Sequence, residues 1–493
     1  MALLQHLPIL QVVVPLISAP LCLLFFNRRA VILLALAAGI IGLAISLLLL
    51  QQVASDSPIS YAIGGWTLPW GIEYRVDRLT AFVLLVINGI NLLALVYSPY
   101  SVTEQIPARS IPLFYTGWQL CITGLNGMVL TGDAFNLFVF LEISSLATYL
   151  LISAGPERQA PLAAFRYLIM GSVGATFILI AIGLLYMQTG TLNMADIAQR
   201  LPDIENRTEM MALAFFTAGV GVKVAMMPFH AWLPNAYRYA PHAATVLLAG
   251  TATKVAIYAM LRFVFSVFGF DFTFTEMPVG MVLLILSIFG ILLAPLAALG
   301  ENDLKKMLAW SSVAQISYMT IGISLGSAAG ITAAIIHLFN HAIIKSALFM
   351  AVGAIALRAG TTNIDSLHGI GRKMPKMGFV LFVGGLGLVG IPGTAGFISK
   401  WYLITGALER GWWWLAMLLL FGSLFSAAYV WKIVGVLWDP DAIVPPRTKG
   451  TAGPSEWVPV ALLVIAILWF GIDSSFTSEA ATAAAYELLG GKP

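Results

Sequence analysis

The sequence predicts an all-α integral membrane protein, and composition is the first observation that does so. Of the 493 residues, 59% are hydrophobic and 10% are charged. Soluble proteins have about 45–50% apolar and about 25% charged residues, so this chain has too few polar side chains to cover a globule in water. The net charge of +3 is too small to indicate nucleic-acid binding. Lipid is therefore the expected solvent.

Long apolar runs are the second observation. A bilayer core of about 30 Å requires about 20 apolar residues per helix, and by that measure the sequence predicts about 14 transmembrane helices. The predicted spans cover residues 7–26, 30–51, 79–98, 111–130, 134–154, 162–188, 210–238, 242–265, 278–299, 307–326, 328–357, 377–408, 411–437 and 457–474.

Two of these spans contain helix-breaking residues, which is the third observation. The span at 210–238 includes Pro228 and Pro234, and the span at 377–408 includes Pro392 between glycines. Proline removes an amide donor and clashes with the preceding turn, so we expect both helices to be interrupted. Carbonyls freed at membrane depth are tolerated only where protein or water satisfies them. Each interruption is therefore a candidate cavity.

The basic residues predict the orientation. An even number of spans places both termini on one side. If that side is the outer one, inner loops and helix ends carry about twice as many Lys and Arg as outer ones, as the positive-inside rule requires. The inner set includes Arg447 and Lys449, and the outer set includes Lys492. We expect a multi-pass protein of a prokaryotic cell (inner) membrane with both termini outside.

A soluble domain, a metal centre and a cofactor are not expected. The longest polar stretches, at about 52–78, 189–208 and 358–376, have the length of loops. Cys22 and Cys121 lie far apart within apolar runs, which indicates neither a disulfide framework nor a metal site. The sequence contains no P-loop and no dinucleotide-binding glycine pattern. We therefore expect a transport protein without a redox or hydrolytic site of its own.

Lysines inside the apolar runs are the most informative residues. Lys223, Lys254, Lys345 and Lys400 lie well within predicted spans, whereas Lys432 lies near a helix end and can extend to the interface. A charged Lys at the centre of a span costs roughly 2.5–3.5 kcal/mol, and such residues usually serve a function. The alternative is that each Lys pairs with a carboxylate or caps a broken helix.

Acidic residues within the spans are too few for full pairing. Glu142 is the one carboxylate clearly inside a predicted span, and Asp133 lies at the outer edge of the same helix. Desolvation disfavours the charged form of an amine that lacks a counter-ion. Some of the lysines are thus expected to be neutral part of the time. A group that gains and loses a proton in this way can carry protons.

Histidines extend this pattern. His337 and His341 precede Lys345 at a spacing of four residues, which places all three on one face of a helix. Imidazoles titrate near neutrality, so this row suits proton transfer. Histidines at this spacing can also bind zinc, but the glutamate of a zinc-protease helix is missing, and packing is a further alternative. His230 follows Pro228, where it could transfer protons or cap the freed backbone.

The two interrupted helices predict an internal repeat. Each carries a lysine near its break, and the two spans are five positions apart in the series, an odd separation that inverts their direction, a pattern typical of inverted-repeat transporters. We predict an N-terminal three-helix segment, two inverted five-helix repeats and a C-terminal helix and tail, at 1–110, 111–265, 278–437 and 438–493. The repeat is imperfect, because the helix that matches that of Glu142 offers Gln315 and Ser317 but no acid.

Four sequence stretches also carry a family resemblance. They run from Thr131 to Glu142, from Lys223 to Pro234, from Lys254 to Tyr258 and from Gly390 to Lys400. In this order they resemble the antiporter-like membrane subunits shared by respiratory complex I, membrane-bound hydrogenases and Mrp-type cation/proton antiporters. Within this family the D subunit of the Mrp type is the most similar.

The resemblance implies roles for individual residues. It implies that Glu142 pairs with Lys223, that Lys254 is the next proton carrier, and that the His337, His341 and Lys345 row continues the path. Lys400 would then exchange protons with one aqueous side. It also implies partner membrane subunits and an exchange of sodium or potassium for protons.

Two other functions remain open at this stage. The same module could belong to a redox complex of the complex I or hydrogenase kind, in which electron transfer elsewhere drives proton pumping. A carrier of an organic anion, bound by the lysines, is a third reading. It would predict aromatic and hydrogen-bonding groups around one broken helix, whereas the ionisable groups here are spread over several helices.

Overall fold

The computed structural model describes residues 2–25, 27–55, 58–203, 207–439 and 452–490. Arg447, Lys449 and Lys492, which contribute to the predicted charge bias, lie outside the described residues. Residues 440–451 of the predicted C-terminal unit also lie outside the described residues.

Helices make up most of the fold, as predicted. The first group comprises α1 (Ala2–Gln5), α2 (Leu7–Leu24), α3 (Arg28–Ser55), α4 (Arg78–Gln105), α5 (Ile111–Leu130), α6 (Ala134–Ser153), α7 (Ala160–Thr189) and α8 (Met194–Arg200). The second comprises α9 (Arg207–Val224), α10 (Leu233–Tyr239), α11 (His242–Gly250), α12 (Ala252–Leu261), α13 (Val279–Gly300), α14 (Leu304–Ser324) and α15 (Ala328–Ala359). The last comprises α16 (Ile370–Lys373), α17 (Pro375–Val389), α18 (Ala395–Glu409), α19 (Trp413–Leu437), α20 (Pro454–Ile472) and α21 (Ser475–Leu488).

Each predicted span coincides with one helix or with two helices in series. Among the described residues, 11 helical segments are long and apolar enough to cross a membrane. The predicted spans outside this set are α5, α14 and the short helices α17 and α18. Both α5 and α14 carry several buried polar side chains, which lowers their hydropathy and indicates that protein surrounds them.

One polar stretch that the sequence predicted to be a loop contains a β-hairpin. Strands β1 (Ile59–Ala62) and β2 (Glu73–Val76) pair antiparallel, with Ile59 opposite Val76. The connection between them exposes Trp66 and Trp70. Tryptophan is enriched at the membrane–water interface, so this hairpin suits the boundary between lipid and water.

Both interruptions predicted from proline and glycine are present. The first separates α9 from α10, and the intervening residues include Ala225 with a positive φ of 62° and a short 3-10 turn at Phe229–Trp232. Pro234 lies in the first turn of α10, where proline is tolerated, so it starts the second half-helix. The second interruption separates α17 from α18, and Gly390 supplies the left-handed conformation that ends α17.

A third interruption was not predicted. The span at 242–265 divides at Thr251 into α11 and α12, because Thr251 has φ of −126° and ψ of −58°. No proline marks this position, so the prediction of one continuous helix was wrong. The break lies three residues before Lys254 and affects its surroundings.

The two halves of the chain repeat one local connection. Asp133 and Asn193 form an isolated antiparallel bridge, and Asp303 and Asn363 form another. Asp303 follows Asp133 by the same number of residues as Asn363 follows Asn193. Each aspartate accepts a hydrogen bond from the backbone of the helix that it starts, α6 or α14. This correspondence favours the predicted repeat, although the division into repeats stays a prediction.

Helix α15 lies at the centre of the second half. It packs against α4, α11, α14, α17, α18, α20 and α21. Its last turn is joined to α20 by a buried ion pair, in which Arg358 donates to both oxygens of Glu456 at 2.7 and 2.5 Å. Helix α21, which the sequence analysis left within the C-terminal tail, covers α15 and α4. The lysine and histidines of α15 are therefore enclosed on all sides by protein.

Candidate functional site

Lys223 and Glu142 meet between α9 and α6. The Lys223 Nζ atom lies 3.8 Å from Glu142 Oε1 and donates a 2.9 Å hydrogen bond to Ser145 Oγ. Gly171 of α7 leaves room for the neighbouring Tyr149 hydroxyl, with which a Cβ at this position would collide. The Glu142 side chain is 28% exposed, although its Oε1 atom, which faces Lys223, is buried.

The break after Lys223 is closed by an indole. The Trp232 Nε1 atom donates a 2.9 Å hydrogen bond to the carbonyl oxygen of Val222 at the end of α9, which also accepts a 3.1 Å hydrogen bond from the backbone N–H of Ala225. Pro228 precedes the short turn that carries Trp232. His230 lies in the same turn beside Trp310, with ring centroids 4.9 Å apart. The cap on Val222 is therefore provided by Trp232 and not by His230.

Lys254 lies at the unpredicted third break and is fully buried. Its Nζ atom donates to the carbonyl oxygen of Ala249, at the end of α11, and to Thr253 Oγ1 at 3.4 Å. Helix α12, which carries Lys254, packs against α15, which carries His341 and Lys345. Lys254 thus caps a helix end and stands next to the central row of titratable side chains.

The titratable row of α15 consists of Lys345, His341 and His337. Lys345 Nζ donates to the carbonyl oxygen of Leu308 at 2.7 Å and to Ser311 Oγ. The two imidazole rings are nearly parallel, with centroids 6.2 Å apart. His337 Nδ1 bonds Ser399 Oγ at 2.8 Å, which joins the row to α18.

Two nitrogens of His341 and one of His337 remain without a partner among the described residues. Both ring nitrogens of His341 and the Nε2 atom of His337 are buried. Buried polar atoms in folded proteins are normally satisfied by protein or ordered water. This part of the row therefore suits water-assisted proton transfer.

Lys400 closes the second predicted break. Its Nζ atom donates to the carbonyl oxygens of Leu388 and Val389 at 2.8 and 3.0 Å and to Ser423 Oγ at 3.0 Å. The amine also lies 4.5 Å from the centre of the Tyr318 ring. Pro392 is exposed within the loop of this break. Lys400 is thus held by neutral groups at the end of α17.

The partners of these four lysines share one property. Apart from Glu142, they are hydroxyls and backbone carbonyls, which accept hydrogen bonds without neutralising a charge. Among the described residues, Lys254, Lys345 and Lys400 have no carboxylate within ion-pairing distance. Cation capping of broken helix ends, the alternative drawn from the sequence, also applies to Lys254 and Lys400. Capping and an unneutralised charge therefore coexist at these two positions.

Comparison with known proteins identifies the family. A family model described as "NADH:quinone oxidoreductase/Mrp antiporter, TM" matches residues 131–426, more than half of the chain. The chain belongs to this family. The matched residues include Glu142, the four buried lysines and the two histidines of the α15 row.

Relatives in this NADH:quinone oxidoreductase/Mrp antiporter family come from two kinds of assembly. The N subunit of a NADH-quinone oxidoreductase of Desulforudis audaxviator is 38% identical over 95% of this chain and 96% of its own length. The D subunit of a Na(+)/H(+) antiporter of Bacillus subtilis is 30% identical over 98% and 97%. A chain of the Mrp complex from Dietzia sp. DQ12-45-1b is 26% identical with a TM-score of 0.89, covering 99% and 98%.

Asp133 has a structural role in this member of the family. Its carboxylate accepts a 2.7 Å hydrogen bond from the backbone of Asn136 and so caps the N-terminus of α6. From the sequence, Asp133 was predicted at the outer edge of the helix that carries Glu142, and a supporting role in the path stays a prediction. Its position fixes the start of that helix.

Two polar cavities, which sequence reasoning missed, lie at opposite ends of α4. One, of about 590 Å³, is lined by Glu104, Arg238, His242 and Lys305. The other, of about 480 Å³, is lined by charged residues that include Arg75 of the hairpin, Asp77, Arg262 directly after α12, and Glu487 of α21. The charged residues of these chain segments are visible in the sequence. That they come together around a cavity depends on tertiary packing, which the sequence does not show.

An ion pair forms the floor of the smaller cavity. Arg262 Nη2 donates to Asp77 and to Thr80 Oγ1, and its Nε atom donates to the Tyr258 hydroxyl at 3.0 Å. Burial alone would raise the pKa of the Asp77 carboxyl, but the adjacent guanidinium holds it below its usual value. Asp77 therefore stays ionised, and Tyr258 lies one helical turn from Lys254.

Proposed function

We propose that this chain is the proton-translocating subunit of a multi-subunit membrane assembly. Protons would move along a buried row that begins at Glu142 and Lys223 and ends at Lys400. The observation that carries the proposal is the set of four buried amines with one carboxylate among their partners. Such an excess of buried positive charge is costly, and releasing a proton from one of the amines relieves it.

The roles of the individual residues follow from their partners. Glu142 would stabilise the protonated form of Lys223, since an opposite charge within about 4–6 Å favours ionisation. Lys254 would pass the proton to the α15 row. His341 and His337 would relay it towards Lys400 through their free ring nitrogens. Lys400 would exchange it with one aqueous side.

The two cavities at the ends of α4 support aqueous access. This helix has 28 residues, which at 1.5 Å per residue corresponds to about 42 Å, enough to reach from one membrane surface to the other. We infer that the cavity with Glu104 and Lys305 opens to the cytoplasm and the cavity with Asp77 and Arg262 opens outside. Titratable side chains line both, so each can collect protons.

Exchange of a monovalent cation for protons is the leading activity. The relative named as the D subunit of a Na(+)/H(+) antiporter, which aligns along nearly the whole chain, supports this choice. Sodium or potassium would be exchanged for protons by the assembly, driven by a membrane potential worth about 2.3 kcal/mol per charge per 100 mV. The chain itself would have no redox or hydrolytic site and would need partner membrane subunits.

A redox-driven proton pump is the second candidate. The relative named as the N subunit of a NADH-quinone oxidoreductase is 38% identical along nearly the whole chain, and this observation favours the alternative. Vesicles that contain the whole assembly distinguish the two. Proton flux that requires added sodium or potassium supports the antiporter, whereas flux that requires an electron donor supports the redox complex. No proton flux under either condition would contradict the proposed function.

The proposed location is the prokaryotic cell membrane with both termini outside. Cys22 and Cys121 are buried, so single exposed cysteines can report the orientation. Glu479→Cys on α21 is expected to react with an impermeant thiol reagent from outside in intact cells. Lys373→Cys, at the end of the short helix α16, is the matched control and is expected to react only after the membrane is opened. The reverse pattern would invert the orientation.

The division into repeats is also a proposal. The two matching bridges and helix caps support units at 111–265 and 278–437, each with one break of the kind predicted from proline and glycine. Segments 1–110 and 438–493 would flank them.

A further inference from the structure

A second set of polar groups joins Lys345 to Lys400, apart from the two histidines. At its centre is Tyr429 of α19, whose side chain is fully buried. The Tyr429 hydroxyl makes no hydrogen bond of ordinary geometry with the described residues. The polar groups around it belong to Ser311 and Gln315 of α14 and to Ser426 of α19. An unsatisfied hydroxyl is thus placed among three polar side chains.

Contacts on the α14 side connect Tyr429 with both lysines. Ser311 accepts a hydrogen bond from Lys345 Nζ. Gln315, one helical turn further on, donates to the carbonyl oxygen of Leu388 at 3.3 Å. Lys400 Nζ donates to the same carbonyl at 2.8 Å. The Tyr429 hydroxyl therefore lies between a partner of Lys345 and a group that shares an acceptor with Lys400.

Contacts along α19 complete the connection. Ser426 and Ser423 precede Tyr429 at successive spacings of three residues, so they lie on adjoining turns of one helix surface. Ser423 Oγ accepts a 3.0 Å hydrogen bond from Lys400 Nζ. Hydroxyl groups donate and accept at once, which allows them to pass protons along a chain. Ser311 and Ser426 donate to the carbonyl oxygens of Leu308 and Gly422 in this structure. Rotation of these two hydroxyls towards Tyr429 and Ser423 would complete such a chain through Ser311, Tyr429, Ser426 and Ser423.

We propose that the Tyr429 hydroxyl transfers protons between Lys345 and Lys400 along a branch parallel to the one through His341 and His337. The inference rests on the proposed function. The Lys345 ammonium gives a proton to Ser311, each hydroxyl passes its own proton onward, and Ser423 protonates the neutral amine of Lys400. Each hydroxyl ends with one proton as it began. Lys345 loses one positive charge, and Lys400 gains one.

The test compares single and double variants in vesicles that contain the whole assembly. Tyr429→Phe removes the hydroxyl and keeps the ring, and His341→Gln removes a titratable group from the other branch. Each single variant is expected to reduce proton flux about twofold, because the other branch still conducts. Two independent effects would multiply to about fourfold, whereas loss of both parallel branches is expected to reduce flux about a hundredfold. A merely structural effect of Tyr429 would not depend on His341.

A matched control is Tyr115→Phe, also fully buried, whose hydroxyl bonds Ser98 at 2.7 Å away from the row. It is expected to leave flux unchanged, alone and with His341→Gln. If Tyr429→Phe fails to assemble, Ser426→Ala removes the next hydroxyl and is expected to give the same synergy. Flux in Tyr429→Phe equal to that in Tyr115→Phe in both backgrounds would overturn the branch while leaving the proposed function intact. A wild-type assembly without proton flux would contradict both.

Discussion

The two halves of the chain close similar helix breaks with different chemistry. In the first half, the indole of Trp232 caps the carbonyl of Val222, and Lys223 faces the carboxylate of Glu142. In the second half, Lys400 itself caps the carbonyls at the end of α17 and has no carboxylate beside it among the described residues. Lys223 is thus separate from the group that caps its helix, whereas Lys400 is itself the capping group.

This difference indicates a division of tasks. The charge of Lys223 depends on a partner from another helix, since Glu142 belongs to α6 and is partly exposed. The charge of Lys400 is bound to the local backbone conformation, because the amine bonds the carbonyls that the break releases. We therefore expect the first half to respond to neighbouring subunits and the second half to couple proton exchange to the shape of the broken helix.

The largest expected effect concerns the first half. Lys223→Ala or Glu142→Ala should abolish cation-dependent proton flux in vesicles, because either change removes one partner of the charged pair that starts the row. Intact assembly is checked by purifying the variant complex.

Lys306→Ala is the control for charge removal. Lys306 pairs with Glu301 at 2.8 Å, and both side chains are partly exposed, so its loss costs at most about 1 kcal/mol. Flux should be unchanged in this variant. Undiminished flux in both first-half variants would remove the pair from the path.

The next effect concerns the second half. Lys400→Glu should reduce flux at least about tenfold, since an ionised carboxylate cannot donate to the carbonyls of Leu388 and Val389. Lys400→Arg sharpens the comparison, because arginine keeps the donors but does not release its proton. We expect Lys400→Arg to assemble like the wild type and to lose flux. Wild-type flux in Lys400→Arg would exclude this lysine as a proton carrier.

A smaller effect is expected at the cap of the first break. Trp232→Phe removes one of the two donors to the carbonyl of Val222, the other being the backbone N–H of Ala225. It should lower stability by about 0.5–1.5 kcal/mol, measured by thermal unfolding of the purified assembly. Phenylalanine preserves the stacking on Tyr167, whose ring centroid lies 3.7 Å away. Trp310→Phe is the control, since its acceptor on Glu301 is partly exposed. Equal effects of the two changes would refute a special role for this cap.

The smallest effect concerns Asp133, which caps α6. Asp133→Asn preserves a side-chain acceptor and should leave both flux and stability close to wild type. Asp133→Ala removes the cap and should cost about 1 kcal/mol of stability with little change in flux. If Asp133→Asn lost flux as Glu142→Ala does, the carboxylate would belong to the proton path.

Sequence reasoning succeeded where the cause is local. Apolar length located the helices, and Pro228 and Pro392 located two of the breaks, because both signals depend on residues close together in the chain. The aspartate cap of α6 was missed although its signal was present, an acceptor side chain directly before an apolar run. The lysines were found because charge in an apolar run is visible in the sequence alone.

The features that the sequence did not predict depend on contacts between residues far apart in the chain. The break at Thr251 carries no proline, and a carbonyl at this break is satisfied by the side chain of Lys254, so nothing local announces it. Tyr429 is one of many buried tyrosines until α14 and α19 are placed together. The pairing of Arg358 with Glu456 joins residues far apart in the chain. Such contacts exist only once the fold is formed.

The three contacts of Lys400 set a condition on every exchange event. An ammonium has three N–H donors, and here all three are engaged, by two carbonyls and by Ser423. A neutral amine has two donors and a lone pair, so one contact must be given up or reversed. Carbonyls cannot donate, but the serine hydroxyl can rotate and donate to the lone pair. The rotational state of one hydroxyl would then record whether the site is loaded.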